Sequence, residues 1–472
     1  MQQFSIYSAG SFTEGDEILE VINPFTGFPF AATWRAGVSH YEESVSAAVT
    51  VSEKMKGLPS YVRYDILMEI ARGIEDNVEE FSWVLSSESG KPLKYAHGEV
   101  LRAIQVFRVS AEESKRLPGE YLSLDWTPAG TRREGVVKYF PVGPVAAIAP
   151  FNFPLNLAVH KVAPAVAAGC PVVLKPASST PLSTLLLARI IDQTALPKGA
   201  LSVLPLDRIA GNSMVTDERF KLLTFTGSPE VGWEMKRNAG KKRVVLELGG
   251  NAGLIVTNSA DLKEAVEKAV VGAFAYSGQV CIHTQRIFVH RDIFATFTEQ
   301  FVQQTLALRQ GDPLDPQTDI SVMIDEANAL RVEAWVKEAV EQGAKVLCGG
   351  NRKGLFFEPT VITNTRPEMK VCDLEVFGPV VTIEPYDRFE EAVKQVNNSR
   401  YGLQAGVFTH DMREVNLAFE QIEAGGVIIN DAPTFRVDHM PYGGVKESGL
   451  GREGVKYAIH DMLEPKLLVK GF

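Results

Sequence analysis

The stretch "PVAAIAPFNFPLNLAVHKVAPAVAAGCPVVLKP", Pro144 to Pro176, decides how this chain folds. Its first part, "PVAAIAP" (144–150), is a short apolar run closed by prolines and reads as a buried strand. "NLAVHKVAPAVAAG" (156–169) carries a helical pattern and stops at a glycine, and "PVVLKP" (171–176) is a second β-branched run. Strand, helix and strand at this spacing predict neighbouring parallel strands in an α/β sheet. The alternation continues with a helix in "TPLSTLLLARIIDQTA" (180–195) and strands in "ALSVLPL", "KLLTFTG" and "KRVVLELGG". The expected result is a doubly wound parallel sheet.

The same style restarts after Asn251. "AGLIVT" is followed by a helix from about Leu262 to Tyr276, by "RIFVH", and by a long amphipathic helix from near Asp292. "AKVLCGG", "FFEPTVI", "VVTIEPY" and "GGVIIND" then supply strands for a second α/β domain. Upstream, residues 41–117 are dominated by helix-period segments. Residues 119–143 alternate apolar and polar side chains about a Pro/Gly turn, as a projecting hairpin does, and "EPKLLVKGF" reads as a terminal strand. Open strand edges invite partners, so a homo-oligomer is expected.

Composition narrows the function. With 45% apolar and 22% charged residues and a net charge of -10, the chain has the make-up of a soluble protein with no electrostatic case for nucleic acid or an anionic membrane. The apolar zone Val142–Leu174 is broken by five prolines and carries His160 and Lys161, so it is a core and not a membrane span. "MQQFSIYSAGSFTEGDEILE" has no basic and apolar export pattern. Cys170, Cys281, Cys348 and Cys372 are scattered, which predicts neither a metal site nor a disulfide scaffold and places the protein in a reducing cytoplasm.

"SGLGREG" (448–454) contains G-x-G-x-x-G, but no strand precedes it and too little chain follows to complete a βαβ unit. Chemistry is better sought in three other places. Cys281 in "AYSGQVCIHTQR" sits just beyond a helix break at Ser277-Gly278, where a turn can present sulfur to a cleft; many free cysteines are instead inert core residues. Glu247 in "LELGGNA" stands near the end of a β-branched run, where parallel sheets place ligands, or is a solvated loop carboxylate. Asn152 in "APFNFPLN" has an amide suited to an oxyanion, or to capping a helix.

Together with "PFNFP", "LKPAS", "FTGSPEVG", "GQVC", "EVFGPV" and "PYGGVKESGLGRE", in that order, these segments give a chain that resembles the aldehyde dehydrogenase superfamily from about residue 20 to its end. The resemblance implies a cofactor-binding domain of residues 1–118 and 142–249, a catalytic domain of 250–447, and a small β oligomerisation arm of 119–141 and 448–472, in a homodimer or homotetramer. It implies Cys281 as nucleophile, Asn152 and the Cys281 N–H as oxyanion hole, Glu247 as the base that activates water, and Lys161 near the active site. A plain surface cation is the other reading of Lys161.

For the cofactor, the resemblance implies that Gly227 and Ser228 open the turn facing the pyrophosphate, and that Glu375 holds the nicotinamide ribose with Phe377 beside the ring. Phe151 and Gly249 belong to the same set, and Lys175 reaches the adenosine ribose. Ser178 stands where many relatives place a glutamate that repels a 2′-phosphate, so NADP is expected to be accepted alongside NAD. The "SGLGREG" glycines then match a structural turn. Arg102, His160 and Arg436 are candidates for binding a small aldehyde bearing an anionic group. Arg102 could equally pair with Glu99, and His160 could be a packed core residue. Val280, where some phosphate-specific relatives carry arginine, weighs against a phosphorylated substrate, and small hydroxyaldehydes are the main rival. A cysteine hydrolase and a non-catalytic structural protein are the alternatives from other classes.

Overall fold

The computed structural model describes residues 2–472. The opening stretch forms the strand Val145–Ile148, the helix Pro154–Ala168 and the strand Val172–Lys175, and the two strands pair in parallel. They lie at the centre of an eight-stranded sheet. Arg243–Glu247, Leu222–Thr226, Val145–Ile148, Val172–Lys175 and Leu201–Val203 run parallel, and the antiparallel strands Gly449–Leu450 and Ile6–Ser8 close the two sides, with Ser11–Thr13 outermost beyond the latter. Successive strand residues enter different cores: Val145 and Ala147 one, Ala146 and Ile148 the other. This two-faced burial is why the strands are apolar throughout rather than alternating.

Every residue of the helix Pro154–Ala168 is buried. The helices Ser60–Glu75, Leu93–Ser114 and Val455–Asp461 pack around it. It ends where Gly169 turns left-handed at φ 89° and donates its N–H to Ala165 O, a closure that glycine makes without a Cβ clash. Lys161 therefore lies in the interior at 1% exposure, and the surface-cation reading is overturned.

A second sheet has the order Lys345–Cys348, Thr360–Thr363, Val380–Tyr386, Thr284–His290, Ala252–Val256, Gln404–Phe408, Gly426–Ile429, parallel except for its first strand. "FFEPTVI" is not one strand. Phe356–Phe357 pairs with Arg352–Lys353, and Thr360–Thr363 joins the sheet after Pro359, which has no N–H for a ladder. The helix expected to reach Tyr276 stops at Phe274, because Tyr276, Ser277 and Gly278 are all left-handed.

The projecting sheet consists of Leu463–Gly471, Arg133–Pro141 and Gly119–Ser123, all antiparallel. Of residues 448–472 only the last strand lies in this arm. Gly449–Leu450 pairs with Leu246 and Glu247 at the edge of the eight-stranded sheet, and Val455–Asp461 packs against the buried helix. Among the described residues no helix is long and apolar enough to cross a membrane, and no His/Cys/Asp/Glu group could hold a metal.

Candidate active site

The strand ends of the eight-stranded sheet open onto a cavity of about 490 Å³. Phe151 and Asn152 reach it from the loop after Val145–Ile148, Gly227 and Ser228 from the loop after Leu222–Thr226, and Glu247 and Gly249 from the end of Arg243–Glu247. The other sheet contributes Cys281, Glu375 and Phe377.

Cys281 follows a turn held from several sides. Tyr276 and Ser277 have φ of 50° and 54°, a conformation that costs on the order of 1 kcal/mol per residue and persists only where neighbours enforce it. Tyr276 Oη donates to Ser89 O (3.2 Å) and Ser277 Oγ to Ser321 O (2.8 Å). Gln279 accepts from Ile324 N through its side chain (2.9 Å) and from Asn152 Nδ2 through its carbonyl (3.0 Å). The Asn152 contact orients that amide beside the cysteine. Cys281 Sγ lies 3.0 Å from Tyr442 Oη. Burial above all, with smaller pushes from Glu375 and Glu247, takes the thiol up to about 11 against the pull of Tyr442 and Arg436.

Glu247 is 3% exposed, and neither carboxyl oxygen has a hydrogen-bond partner within the chain. Burial and the neighbouring Glu453 raise its carboxyl well above the usual range, with Arg436 and Lys161 opposing. This shift favours the protonated form. Behind it lies an ionic cluster. Lys161 Nζ donates to Thr224 Oγ1 (3.1 Å), Thr226 Oγ1 (2.7 Å) and Glu453 Oε1 (3.5 Å). Arg436 donates to Glu453 Oε2 at 2.9 Å and lies 3.7 Å above the Tyr442 ring.

Arg102 joins the same cluster. It does not pair with Glu99, but donates to Asp438 at 2.7 and 3.3 Å, because Glu99 is occupied by buried Lys91 and by the N–H groups of Leu155 and Asn156. His160 Nε2 is 2.9 Å from Asp438 and 3.4 Å from Arg436. His160 is thus a packed histidine inside an ion network. Burial first, and then Arg436, lower its pKa against the pull of Asp438 and Glu453, which favours the neutral ring.

Lys175 and Ser178 line a neighbouring cavity of about 450 Å³ together with Arg208 and Asn212. Helix Pro229–Asn238 walls both cavities, with Glu230 in the first and Val231, Glu234, Met235 and Asn238 in the second. Gly227, just before this helix, is packed so closely on Phe225 that a Cβ would strike the ring.

The sequence signature of the aldehyde dehydrogenase family spans residues 12–468. The chain belongs to that family. The 3-sulfolactaldehyde dehydrogenase of Priestia aryabhattai is 44% identical over 471 residues, covering 99% of this chain and 98% of that one. Aldehyde dehydrogenase 21 from Physcomitrella patens, solved with the reaction product succinate, superposes with a TM-score of 0.98 at 47% identity, covering 100% of this chain and 98% of the other. Glyceraldehyde-3-phosphate dehydrogenase GapN from Methanocaldococcus jannaschii, solved with NADP, gives 0.93 at 38% identity, covering 98% and 100%.

In this aldehyde dehydrogenase the residues expected at the reaction centre and on the nicotinamide side share one cavity, and Lys175 and Ser178 share the next. Lys161, His160, Arg102 and Arg436 are gathered in the adjoining cluster. "SGLGREG" is a clamp: Leu248 N donates to Ser448 O (3.0 Å) and Ser448 Oγ to Gly249 O (2.7 Å), which pins the loop after Glu247. Sequence reasoning left Tyr442, Glu453, Asp438 and Arg208 without roles. The first two lie inside the quoted "PYGGVKESGLGRE" and Asp438 just before it, so attention to its polar side chains would have found them; nothing in the sequence singles out Arg208.

Proposed function

We propose that the protein oxidises a small aldehyde to the carboxylic acid with NADP or NAD. The observation that carries the reading is the convergence of the Cys281 thiol, the Asn152 amide and the unpartnered Glu247 carboxyl on one cavity. Cys281 attacks the aldehyde carbon, and Asn152 with the Cys281 N–H steadies the resulting oxyanion of the thiohemiacetal. The bound nicotinamide dinucleotide supplies the hydride acceptor. Cys281 then carries the acyl group as a thioester. Glu247, once deprotonated, takes a proton from the water that releases the acid, which favours hydrolysis over transfer to coenzyme A.

The two cavities along one helix fit an extended dinucleotide, with the bare Gly227 backbone and the N-terminus beginning at Ser228 available for the pyrophosphate. Glu375, Phe377, Phe151 and Gly249 would flank the nicotinamide half, and Lys175 with Ser178 the adenosine half. Ser178 carries no charge to repel a 2′-phosphate and Arg208 adds a cation, so NADP is accepted.

The substrate class follows from the cluster. Lys161, Arg102 and Arg436 face two acids held as carboxylates, since despite burial Asp438 is held far below its usual value by His160 and Arg102, and Glu453 is pulled below its usual value chiefly by Lys161. The cluster brings three basic side chains to these two acids, although burial works against the charge on Lys161. It suits an aldehyde with a single carboxylate, sulfonate or phosphate, and the three similar proteins are a 3-sulfolactaldehyde dehydrogenase, an aldehyde dehydrogenase solved with the product succinate and a glyceraldehyde-3-phosphate dehydrogenase. That both arginines already hold carboxylates favours, as the second reading, a small uncharged hydroxyaldehyde.

The two large sheets are assigned to the cofactor and catalytic domains, and the three-stranded arm to homodimer or homotetramer contacts, which its exposed Leu467, Leu468 and Val469 support. All four cysteines are free, in keeping with a reducing cytoplasm. The test is the initial rate of nicotinamide reduction with succinate semialdehyde, lactaldehyde, glyceraldehyde 3-phosphate and propanal, each with NADP and NAD, and with Cys281→Ala as control. Reduction that favours the anionic aldehydes and disappears in Cys281→Ala is expected. Reduction that survives in the variant would overturn the mechanism, and preference for the neutral aldehydes would overturn the substrate class.

A further inference from the structure

The contact between Cys281 and Tyr442 joins side chains 161 positions apart, and no step above uses it. Tyr442 is 3% exposed, so its ring has little freedom to leave the sulfur. Its backbone is fixed as well: Tyr442 N donates to Glu453 O (3.0 Å) and Glu453 N donates back to Tyr442 O (2.6 Å). The Arg436 guanidinium, itself held by Glu453, covers the ring face. A cation on that face draws electron density from the ring and makes the phenolic O–H a stronger donor.

We propose that the Tyr442 hydroxyl is a catalytic group that donates a hydrogen bond to the Cys281 sulfur and stabilises it as the thiolate. This deepens the proposed function and rests on Cys281 as the nucleophile. A neutral thiol is a poor nucleophile, and burial first, then the Glu375 carboxyl, work against ionising this one. Arg436 and Tyr442 are the groups facing the sulfur that act in the opposite sense, with Lys161 and Glu453 behind Arg436. Arg436 divides its charge between the ring and Glu453, so the phenol is the direct donor. The phenol keeps its proton, because burial and the nearby sulfur and Glu247 raise it against the pull of Arg436. In the step itself the S–H bond breaks and that proton leaves to solvent. The electron pair stays on sulfur, and the O–H bond of Tyr442 remains intact.

The experiment is the pH dependence of Cys281 alkylation by iodoacetamide in the full chain, without nucleotide or aldehyde. A sulfur–carbon bond forms and iodide leaves, so the rate follows the thiolate fraction. Peptide mass spectrometry with Cys281→Ala as blank assigns the site. In Tyr442→Phe the ring stays beneath Arg436 and only the donor is lost. Its profile is expected to move about one unit upward, with roughly tenfold slower labelling below both midpoints. Superimposable profiles would overturn the proposal, even if turnover fell, since a merely structural tyrosine leaves thiol acidity unchanged.

If Tyr442→Phe does not fold, 3-fluorotyrosine at position 442 serves instead. Its more acidic hydroxyl must shift the profile downward, and an unmoved profile overturns the proposal. Turnover that persists in Cys281→Ala would remove the proposed function, yet the alkylation comparison would still report on the phenol.

Discussion

A buried carboxyl with neither oxygen engaged is costly unless it is kept neutral, and Glu247 is in that state. The folded protein raises its pKa above the ordinary value of 4.5, so the base form is scarce at low pH and grows as pH rises through the elevated value. Acyl release should climb with pH over that interval. Glu247→Gln should lose this limb and release acid at least about a hundredfold more slowly, leaving a burst of nicotinamide reduction and an acylated Cys281 peptide detectable by mass. A fast, pH-dependent release in the variant would assign the base elsewhere. Ser178→Glu puts a carboxylate beside the proposed 2′-phosphate site, and the ratio of kcat/KM for NADP over NAD should fall about tenfold or more. An unchanged ratio would place that phosphate elsewhere. Cys281, Glu247 and Asn152 stand out in the sequence at the break or end of an element, but position alone left each an inert alternative, and their proposed roles come from the family resemblance. The partner of Arg102 was not legible, because its choice of Asp438 over Glu99 depends on Lys91 and two backbone N–H groups that compete for Glu99.

Elements were legible where prolines and glycines punctuate apolar runs, as around Val145–Ile148 and Pro154–Ala168. They were less so where backbone strain ends a helix, since nothing local announces that Tyr276 and Ser277 turn left-handed; their support comes from Ser89 and Ser321. The start of Pro154–Ala168 is likewise governed at a distance. Glu99 Oε1 accepts from Leu155 N and Asn156 N, both at 3.0 Å, and its other oxygen binds Lys91, whose Nζ lies 3.9 Å from the Phe153 ring centroid. Glu99→Ala leaves a buried ammonium unpaired and should destabilise by about 3–5 kcal/mol, read by chemical denaturation. Paired Glu99→Met and Lys91→Met changes should recover part of that loss. If the single variant is as stable as the parent, Glu99 does not organise the segment that carries Asn152.

At the scale of the whole molecule, two α/β units and a β arm were readable, since sheet and helix periods alternate twice along the chain. The course of residues 448–472 was not, because two residues pairing with Leu246 and Glu247 are too short a signal to identify a strand. The arm leaves Leu467, Leu468 and Val469 about half exposed, a surface that an oligomer would cover. Replacing Leu467 and Val469 together by Asp should give a smaller sedimenting species, and an unchanged sedimentation coefficient would separate the arm from assembly. The Gly449–Leu450 edge strand also bears on the order in which the protein matures during synthesis. The parallel strands and the helix Pro229–Asn238 that walls both cavities are encoded earlier in the chain than Tyr442, the clamp at Ser448 and Glu453. A nascent chain folding from its first residues onward has the residues that wall both cavities before Tyr442 is available to Cys281. The contact between Cys281 and Tyr442 can form only after a further 161 residues have been made, which limits the time during which an unfinished protein carries that thiol beside its proposed donor.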